Sequence, residues 1–269
     1  MILGLSIIIL MIFLVIGIPV PLAFVASTVT IVIGYGIDSS FLLPHALSKV
    51  NSIIILTIPL FIMAGSLMNY GGIGKKLIDV VEKVVGTIKG GLAVVSIVSC
   101  AVFGAISGSS SATLTAIGSI MSDKLKENGY PRGFVASLLA ASGILGILIP
   151  PSMLMILYAW AGNVSVLASF LAAVVPGIML TVGMSIFAII YLKNDKNVIV
   201  YTKEELSAMK LEEKRIRKEN KEFGSLPAVI MPIIVLGGIY SGMLTPTESA
   251  GVSVIYAAFI GMFIYKANY

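Results

Sequence analysis

A chain of 269 residues that is 58% hydrophobic and only 12% charged, with a mean hydropathy of +1.04, carries about half the charge of an ordinary soluble domain. One core of this size cannot bury so much apolar surface, so composition excludes a soluble protein and points to a polytopic membrane protein. The net charge of +5 sits between apolar runs, which reads as positive-inside topology and not as a nucleic-acid surface; the single Cys100, set in apolar sequence, excludes an intrachain disulfide and thiol redox chemistry.

Met1 opens an apolar run that continues to Ile33, without a basic start or a small-residue cleavage site, so it reads as retained and not as a signal peptide. Residues 2–37 are too long for one untilted span. Pro19-Val-Pro21 breaks them, because proline removes a donor and clashes with the turn before it. Two short spans, 2–18 and 21–37, are expected. Asp38 to Ser52 reads as a loop, and 53–70 as a third span. In residues 73–90, Ile73, Leu77, Val80, Val81, Val84, Val85 and Ile88 recur at helical spacing. Lys75, Lys76, Asp79, Glu82, Lys83 and Lys89 fill the other face, as in an amphipathic helix lying in the membrane interface.

The stretch Gly104-Ala-Ile-Ser-Gly-Ser-Ser-Ser-Ala112 then interrupts apolar sequence with tiny, hydroxyl-bearing residues. Backbone that leaves helical geometry at membrane depth survives only where protein or a watery cavity covers it. Both flanks are basic, with Lys75, Lys76 and Lys83 before and Lys124, Lys126 and Arg132 after. The segment 92–122 therefore starts and ends on one side, as a re-entrant hairpin whose tip forms half of an ion site. The alternative is two ordinary short spans joined by a Gly104-xxx-Gly108 contact.

Residues 133–162 are broken by Ile149-Pro150-Pro151-Ser152. Tandem prolines cannot continue a helix, so carbonyls near Gly143, Gly146 and Pro150 are freed as candidate cation ligands; the alternative is a kink that only shapes packing. Residues 165–192 form a clean span. The segment 193–225 is the one hydrophilic block, with nine of the eighteen Lys and Arg residues interleaved with glutamates, and reads as a cytoplasmic linker. Spans 226–244 and 249–265 follow, joined at Thr245-Pro-Thr-Glu-Ser249. There Glu248 is expected to cap a helix, with a direct ion or substrate role as the second reading. The sum is an all-α fold of about seven transmembrane helices, one re-entrant hairpin and one interfacial helix.

Five crossings before the linker put the N-terminus outside if residue 193 is inside. A second copy starting at 226 would then be inverted, as in many secondary transporters. The domain reading is a first repeat at 1–192, a linker at 193–225 and the start of a second repeat at 226–269. That second unit stops at Tyr269 with two spans and no hairpin, so the chain reads as a truncated, split or partial version of something longer.

The motifs Ile58-Pro-Leu-Phe-Ile-Met-Ala-Gly65, Gly71-Gly-Ile73, the 104–112 stretch, Gly146-Ile-Leu-Ile-Pro-Pro-Ser152, Val175-Pro-Gly177 and Thr245-Pro-Thr-Glu-Ser-Ala250 are collinear across nearly the whole chain. In this combination the sequence resembles the large membrane subunit of tripartite ATP-independent periplasmic (TRAP) transporters. The resemblance implies a sodium-coupled, elevator-type importer of organic acids such as dicarboxylates or sialic acid in a bacterial inner membrane. It implies two partners besides lipid, a periplasmic substrate-binding protein and a small membrane subunit, and no organic cofactor. It places a sodium and substrate site at Ser107, Gly108, Ser109, Ser110, Gly143, Gly146, Pro150 and Ser152, with Na+ itself at Ser107, Ser109 and Gly143. Ser66 stands where the family often has Glu, and Ile144 where Thr is frequent.

Hydroxyls and freed carbonyls replace the water of Na+ without adding charge, and the positive helix end at the hairpin tip is expected to face a substrate carboxylate. A channel is the nearest alternative, since a re-entrant loop with hydroxyls also suits a filter. An intramembrane enzyme would need a nucleophile and base at depth; the only histidine, His45, lies in an early loop, and no span carries paired carboxylates. Gly71-Gly-Ile-Gly-Lys75 lacks the spacing of a phosphate loop.

Overall fold

The computed structural model describes residues 1–85, 90–193, 198 and 224–265. All regular structure among them is helical, and the chain divides into two compact units, Met1–Ser52 and Ile53–Tyr269.

The smaller unit is a helical pair followed by a short helix. α1 (Ile2–Val15) and α2 (Val20–Tyr35) end and start at the proline break, with Gly17 at φ +87° between them. They pack closely where Gly34 meets Ile2; a Cβ on Gly34 would lie 2.6 Å from the Ile2 side chain. The expected loop 38–52 is mostly helical. Asp38 caps a 3-10 turn (Ser39–Phe41), and α3 (Leu42–Val50) follows. Pro44 sits in the first turn of α3, where its missing N–H costs nothing, so proline here starts a helix instead of marking a loop.

The larger unit begins with α4 (Ile53–Tyr70), which contains Pro59, and α5 (Ile73–Val85). α5 is amphipathic as expected, but its buried face is Ile73, Gly74, Leu77, Ile78 and Val81, while Val84 is exposed. That face is covered by protein: Gly74 packs on the Phe103 ring of the next helix. Ile88 and Lys89 lie outside the described residues.

α6 (Gly91–Ser107) and α7 (Ser110–Glu127) form the expected helical hairpin, its second arm five residues longer than the 92–122 reading. All of α6 is buried except Val98 and Val102, so it is the central helix of the unit. The expected broken helix is three pieces: α8 (Arg132–Gly143), α9 (Leu145–Leu148) and α10 (Met153–Gly162). Ile149 and Ser152 are extended on either side of the proline pair, whose peptide bond is cis. α11 (Val166–Leu192) is a long helix with few buried residues. The linker 193–225 falls almost wholly outside the described residues.

α12 (Leu226–Tyr240) and α13 (Pro246–Phe259, continued by a π turn to Ile264) complete the unit. α13 lies along α4. Thr57 is fully buried there, and its hydroxyl is 2.7 Å from that of Thr247. Glu248 closes a capping box with Thr245, accepting from its backbone N–H at 2.8 Å while its own N–H donates to the Thr245 hydroxyl at 3.3 Å.

Four helical stretches among the described residues are long and apolar enough to cross a membrane: Ile53–Tyr70, Arg132–Gly162, Val166–Leu192 and Pro246–Ile264. α1, α2, α6 and α12 are equally apolar but shorter. At ~1.5 Å per residue they fall below the ~30 Å of a hydrocarbon core. The seven expected spans are thus four of full length and three shorter ones, with α6 the inner arm of the hairpin.

Candidate functional site

The hairpin turn is built by two residues with opposite needs. Gly108 ends α6 at φ +60°, a left-handed conformation that glycine adopts without a Cβ penalty. Ser109 is extended and caps α7, its Oγ accepting from the Ala112 N–H at 3.4 Å. The turn is held from inside by a knot of hydroxyls. Ser107 and Thr113 share a hydrogen bond of 3.1 Å, and the Ser109 carbonyl accepts both the Thr113 hydroxyl at 2.7 Å and the Thr113 N–H at 3.0 Å.

The broken helix wraps this knot. A Cβ on Gly104 would fall 2.5 Å from the Cα of Gly146. One on Gly146 would fall on the Thr113 hydroxyl and 2.7 Å from the Ser109 carbonyl, and one on Gly143 would come to 3.6 Å of the Ser110 carbonyl and hydroxyl. At the turn itself, the Met153 N–H donates to the Gly108 carbonyl at 3.3 Å, and a Cβ on Gly108 would reach 2.8 Å from the Pro151 carbonyl. The chain therefore brings Ser107, Gly108, Ser109, Ser110, Gly143, Gly146, Pro150 and Ser152 into one region where the hairpin turn meets the helix break. Pro150 and Pro151 have no N–H, so the Gly146 and Ile147 carbonyls cannot receive the i+4 bonds of a continuous helix.

Two oxygens stand out. Ser152 is fully buried and precedes α10, yet its hydroxyl makes no cap bond and has no partner among the described residues. A buried hydroxyl left unpaired is unfavourable by about 1–3 kcal/mol unless something binds it. The Ser107 hydroxyl is buried but reaches the wall of a cavity. Among the described residues no cluster of His, Cys, Asp or Glu is placed to hold a metal ion, so cation ligands here would be neutral oxygens.

The cavity, about 540 Å³, opens beside the turn between α4 and α7. Of the expected residues only Ser107 and Ser109 line it. Gly108, Ser110, Gly143, Gly146, Pro150 and Ser152 lie behind it in the packed junction. The other polar lining residues are Ser66, Asn69, Tyr70, Ser111 and Thr115; Ser66 and Ser111 stand beside or within the motifs, yet none of the five was among the expected site residues. The signal for them was spacing: Ser66 with Asn69 at i,i+3 and Ser111 with Thr115 at i,i+4 each put polar groups on one helix face. Thr113, the hub of the hydroxyl knot, was missed likewise, although its i+4 relation to Ser109 predicts the bond it makes. Ile144 is exposed and takes no part in the knot. Among the described residues no charged side chain lines the cavity.

A bundle of apolar helices around a helical hairpin, with a polar junction at broken helix ends, defines an all-α polytopic membrane protein. The family model for the tripartite ATP-independent periplasmic transporter DctM component matches residues 7–268, so the chain belongs to the DctM family of TRAP transporter large permeases. It is 41% identical over 79% of its length to the C4-dicarboxylate TRAP transporter large permease protein DctM of Pseudomonas aeruginosa, and 42% identical over 79% to the protein of that name in Vibrio cholerae. It is 32% identical over 94% of its length to the isethionate TRAP transporter permease protein DctMQ of Oleidesulfovibrio alaskensis. The matches cover 47%, 45% and 39% of those three proteins, so the chain spans about half the length of the curated relatives it matches or less. These relatives are transporter permeases and not enzymes.

Proposed function

We propose that this chain carries one half of the transport site of a sodium-coupled TRAP importer of organic acids, working with a periplasmic binding protein and a small membrane subunit. The observation that carries the reading is the unpartnered Ser152 hydroxyl, fully buried where the Gly108 turn meets the proline break. Na+ there would be held by neutral oxygens: the Ser107 and Ser152 hydroxyls and freed carbonyls of the 143–150 turn. Such ligands replace hydration without burying a counter-charge.

The substrate reading follows from the neighbouring cavity. Its wall combines hydroxyls, the Asn69 amide and the first turn of α7, whose N–H groups and dipole favour an anionic group. A carboxylate at Ser109 and Ser111, next to Na+ in the junction, would be neutralised by that ion and not by a lysine or arginine. Dicarboxylates fit this chemistry, as do sialic acid and other organic acids; the names of the relatives favour small organic anions. The 226–269 segment reads as the start of an inverted second repeat, and the site moves in an elevator fashion.

Membrane topology puts the N-terminus outside, the 193–225 linker in the cytoplasm, and the protein in a bacterial inner membrane. The cavity extends along α4 toward Tyr70, the end this topology places inside, so the arrangement is inward-open. Cys100 is buried, so cysteines introduced at Ser40 and Ser207 report sidedness without background. Labelling of Ser40→Cys from the outside only, and of Ser207→Cys only after permeabilisation, is expected; the reverse pattern overturns the topology.

The functional test uses the complete permease with its small subunit and binding protein in proteoliposomes. Organic-acid uptake should need a sodium gradient and the binding protein, and Ser107→Leu or Ser109→Leu should abolish it. Wild-type uptake in both variants would sink the site assignment. Ion currents without the binding protein would favour a channel.

A further inference from the structure

Two polar side chains in the cavity have no work to do in the fold: Asn69 on α4 and Thr115 on α7. A threonine inside a helix commonly returns its hydroxyl to the carbonyl four residues back. Thr28, Thr30, Thr113 and Thr181 do so at 2.7 to 2.9 Å, and Thr57 and Thr247 bond to each other. Thr115 is the helical threonine whose hydroxyl takes neither course among the described residues, although the Ser111 carbonyl stands four residues before it. The Asn69 carboxamide likewise makes no hydrogen bond among the described residues, whereas the Asn128 amide donates to the Lys124 carbonyl at 2.7 Å. Both Asn69 and Thr115 are exposed, so water satisfies them until a ligand replaces it.

The serine hydroxyls around them are engaged. Ser66 donates to the Ile62 carbonyl at 2.9 Å, Ser107 is bonded to Thr113, and Ser109 and Ser111 share a bond of 3.2 Å. Tyr70 also lacks a partner, but it is 73% exposed and too open to fix a ligand. The two uncommitted groups occupy matching levels. Gly65 is where α4 touches the hairpin, since a Cβ there would lie 3.0 Å from the Ser107 side chain, and Asn69 follows it by one turn. Thr115 follows Ser111 by one turn on the other wall. Each therefore lies about 6 Å along its helix from the hairpin tip.

An amide and a hydroxyl both donate and accept, and neither carries charge. A ligand hydroxyl between them donates to one and accepts from the other. A carboxylate at that level only accepts, and among the described residues no cation lines the cavity to balance it. We infer that Asn69 and Thr115 are specificity-determining residues that form a neutral subsite for a substrate hydroxyl, so that the substrate is a hydroxylated organic acid. The inference rests on the transport-site reading above, which puts the carboxylate at Ser109 and Ser111.

The test is thermal unfolding of the complete permease with its small subunit, in detergent with saturating sodium and without the binding protein, so that any selection belongs to the membrane chains. Two pairs of acids that differ by one hydroxyl are titrated, malate with succinate and lactate with propionate. The hydroxylated member of each pair should bind about five-fold more tightly, the effect of one neutral hydrogen bond. Asn69→Leu and Thr115→Val should each remove that preference by weakening the hydroxylated acid, and Thr115→Ser, which keeps the hydroxyl, should retain it. Ser119→Ala, one turn further along α7 and outside the cavity lining, should leave it intact. Ser109→Leu should abolish binding of all four acids. Loss of binding in Ser109→Leu with the preference intact in both Asn69→Leu and Thr115→Val would overturn the subsite and leave the transport site standing. Unchanged binding in Ser109→Leu would overturn the transport-site reading itself. Absence of a hydroxyl preference in the wild type would overturn the subsite as well.

Discussion

The two arms of the hairpin are nearly equal in length and opposite in character. α6 is apolar and buried on all sides, with only Val98 and Val102 partly exposed. α7 opens with Ser110 and Ser111, places Thr113 inward and leaves Leu114 and Thr115 outward. The first arm has traded side-chain bulk for close approach, and Gly104 against Gly146 is its tightest contact. The second has traded apolar contact for oxygen atoms on two faces: one closes the knot with Ser107 and Ser109, the other lines the cavity. A hairpin that binds something polar inside a membrane needs one arm to fix position and one to supply chemistry, and sharing both tasks along each arm would weaken both.

Substitutions can break that division of labour, and the inner arm should be the less forgiving. Gly104→Val places three carbons where the Gly146 backbone already sits, so we expect a loss of more than about 3 kcal/mol. The readout is thermal unfolding of the purified chain in detergent, and a near-native transition would show that α6 does not fix the packing. Gly108→Ala comes next. A left-handed residue with a Cβ is strained by about 1–2 kcal/mol, and that Cβ meets the Pro151 carbonyl, so the same measurement should show a smaller but clear decrease.

Thr113→Val tests the junction between the arms. It keeps the shape and removes a hydroxyl that serves both Ser107 and Ser109, so a decrease of about 1–2 kcal/mol is expected, with the Ser107 hydroxyl left only its long 3.5 Å bonds to the Ser109 backbone. The smallest stability effect and the sharpest functional one are expected for Ser152→Ala. The alanine removes an unsatisfied buried oxygen, so stability should change by less than about 0.5 kcal/mol or rise. Sodium-dependent uptake in the complete permease should fall at least about ten-fold at low sodium, and recover in part at high sodium. Unchanged sodium dependence would separate Ser152 from the ion and return it to a packing role.

Much of this was legible in the chain itself. Pro19 and Pro21 divide the first apolar run because proline cannot sit inside a regular helix, and the helices end and start there. The hydroxyl-rich turn at 107–110 and the break at 149–152 are local events that local residues dictate. Thr245 and Glu248 declare a capping box by spacing alone. Helix α3 was not legible, because Pro44 and the polar residues around it are as common in loops as in first turns.

Other features needed the tertiary structure because they depend on what lies opposite. α6 and α11 are both apolar and read alike, yet one is the buried centre of its unit and the other is largely exposed. Hydropathy reports what a helix tolerates and not what surrounds it. The amphipathic face of α5 was visible, but that protein and not lipid covers it was not. The candidate site shows the same division. Composition and breaks in the helices determined which oxygens were available, since that is a property of each residue and its neighbours in sequence. Packing alone decided which of them face the cavity, which are spent on Thr113, and that Ser152 is left unpaired, because those outcomes are set by distances between segments about forty residues apart.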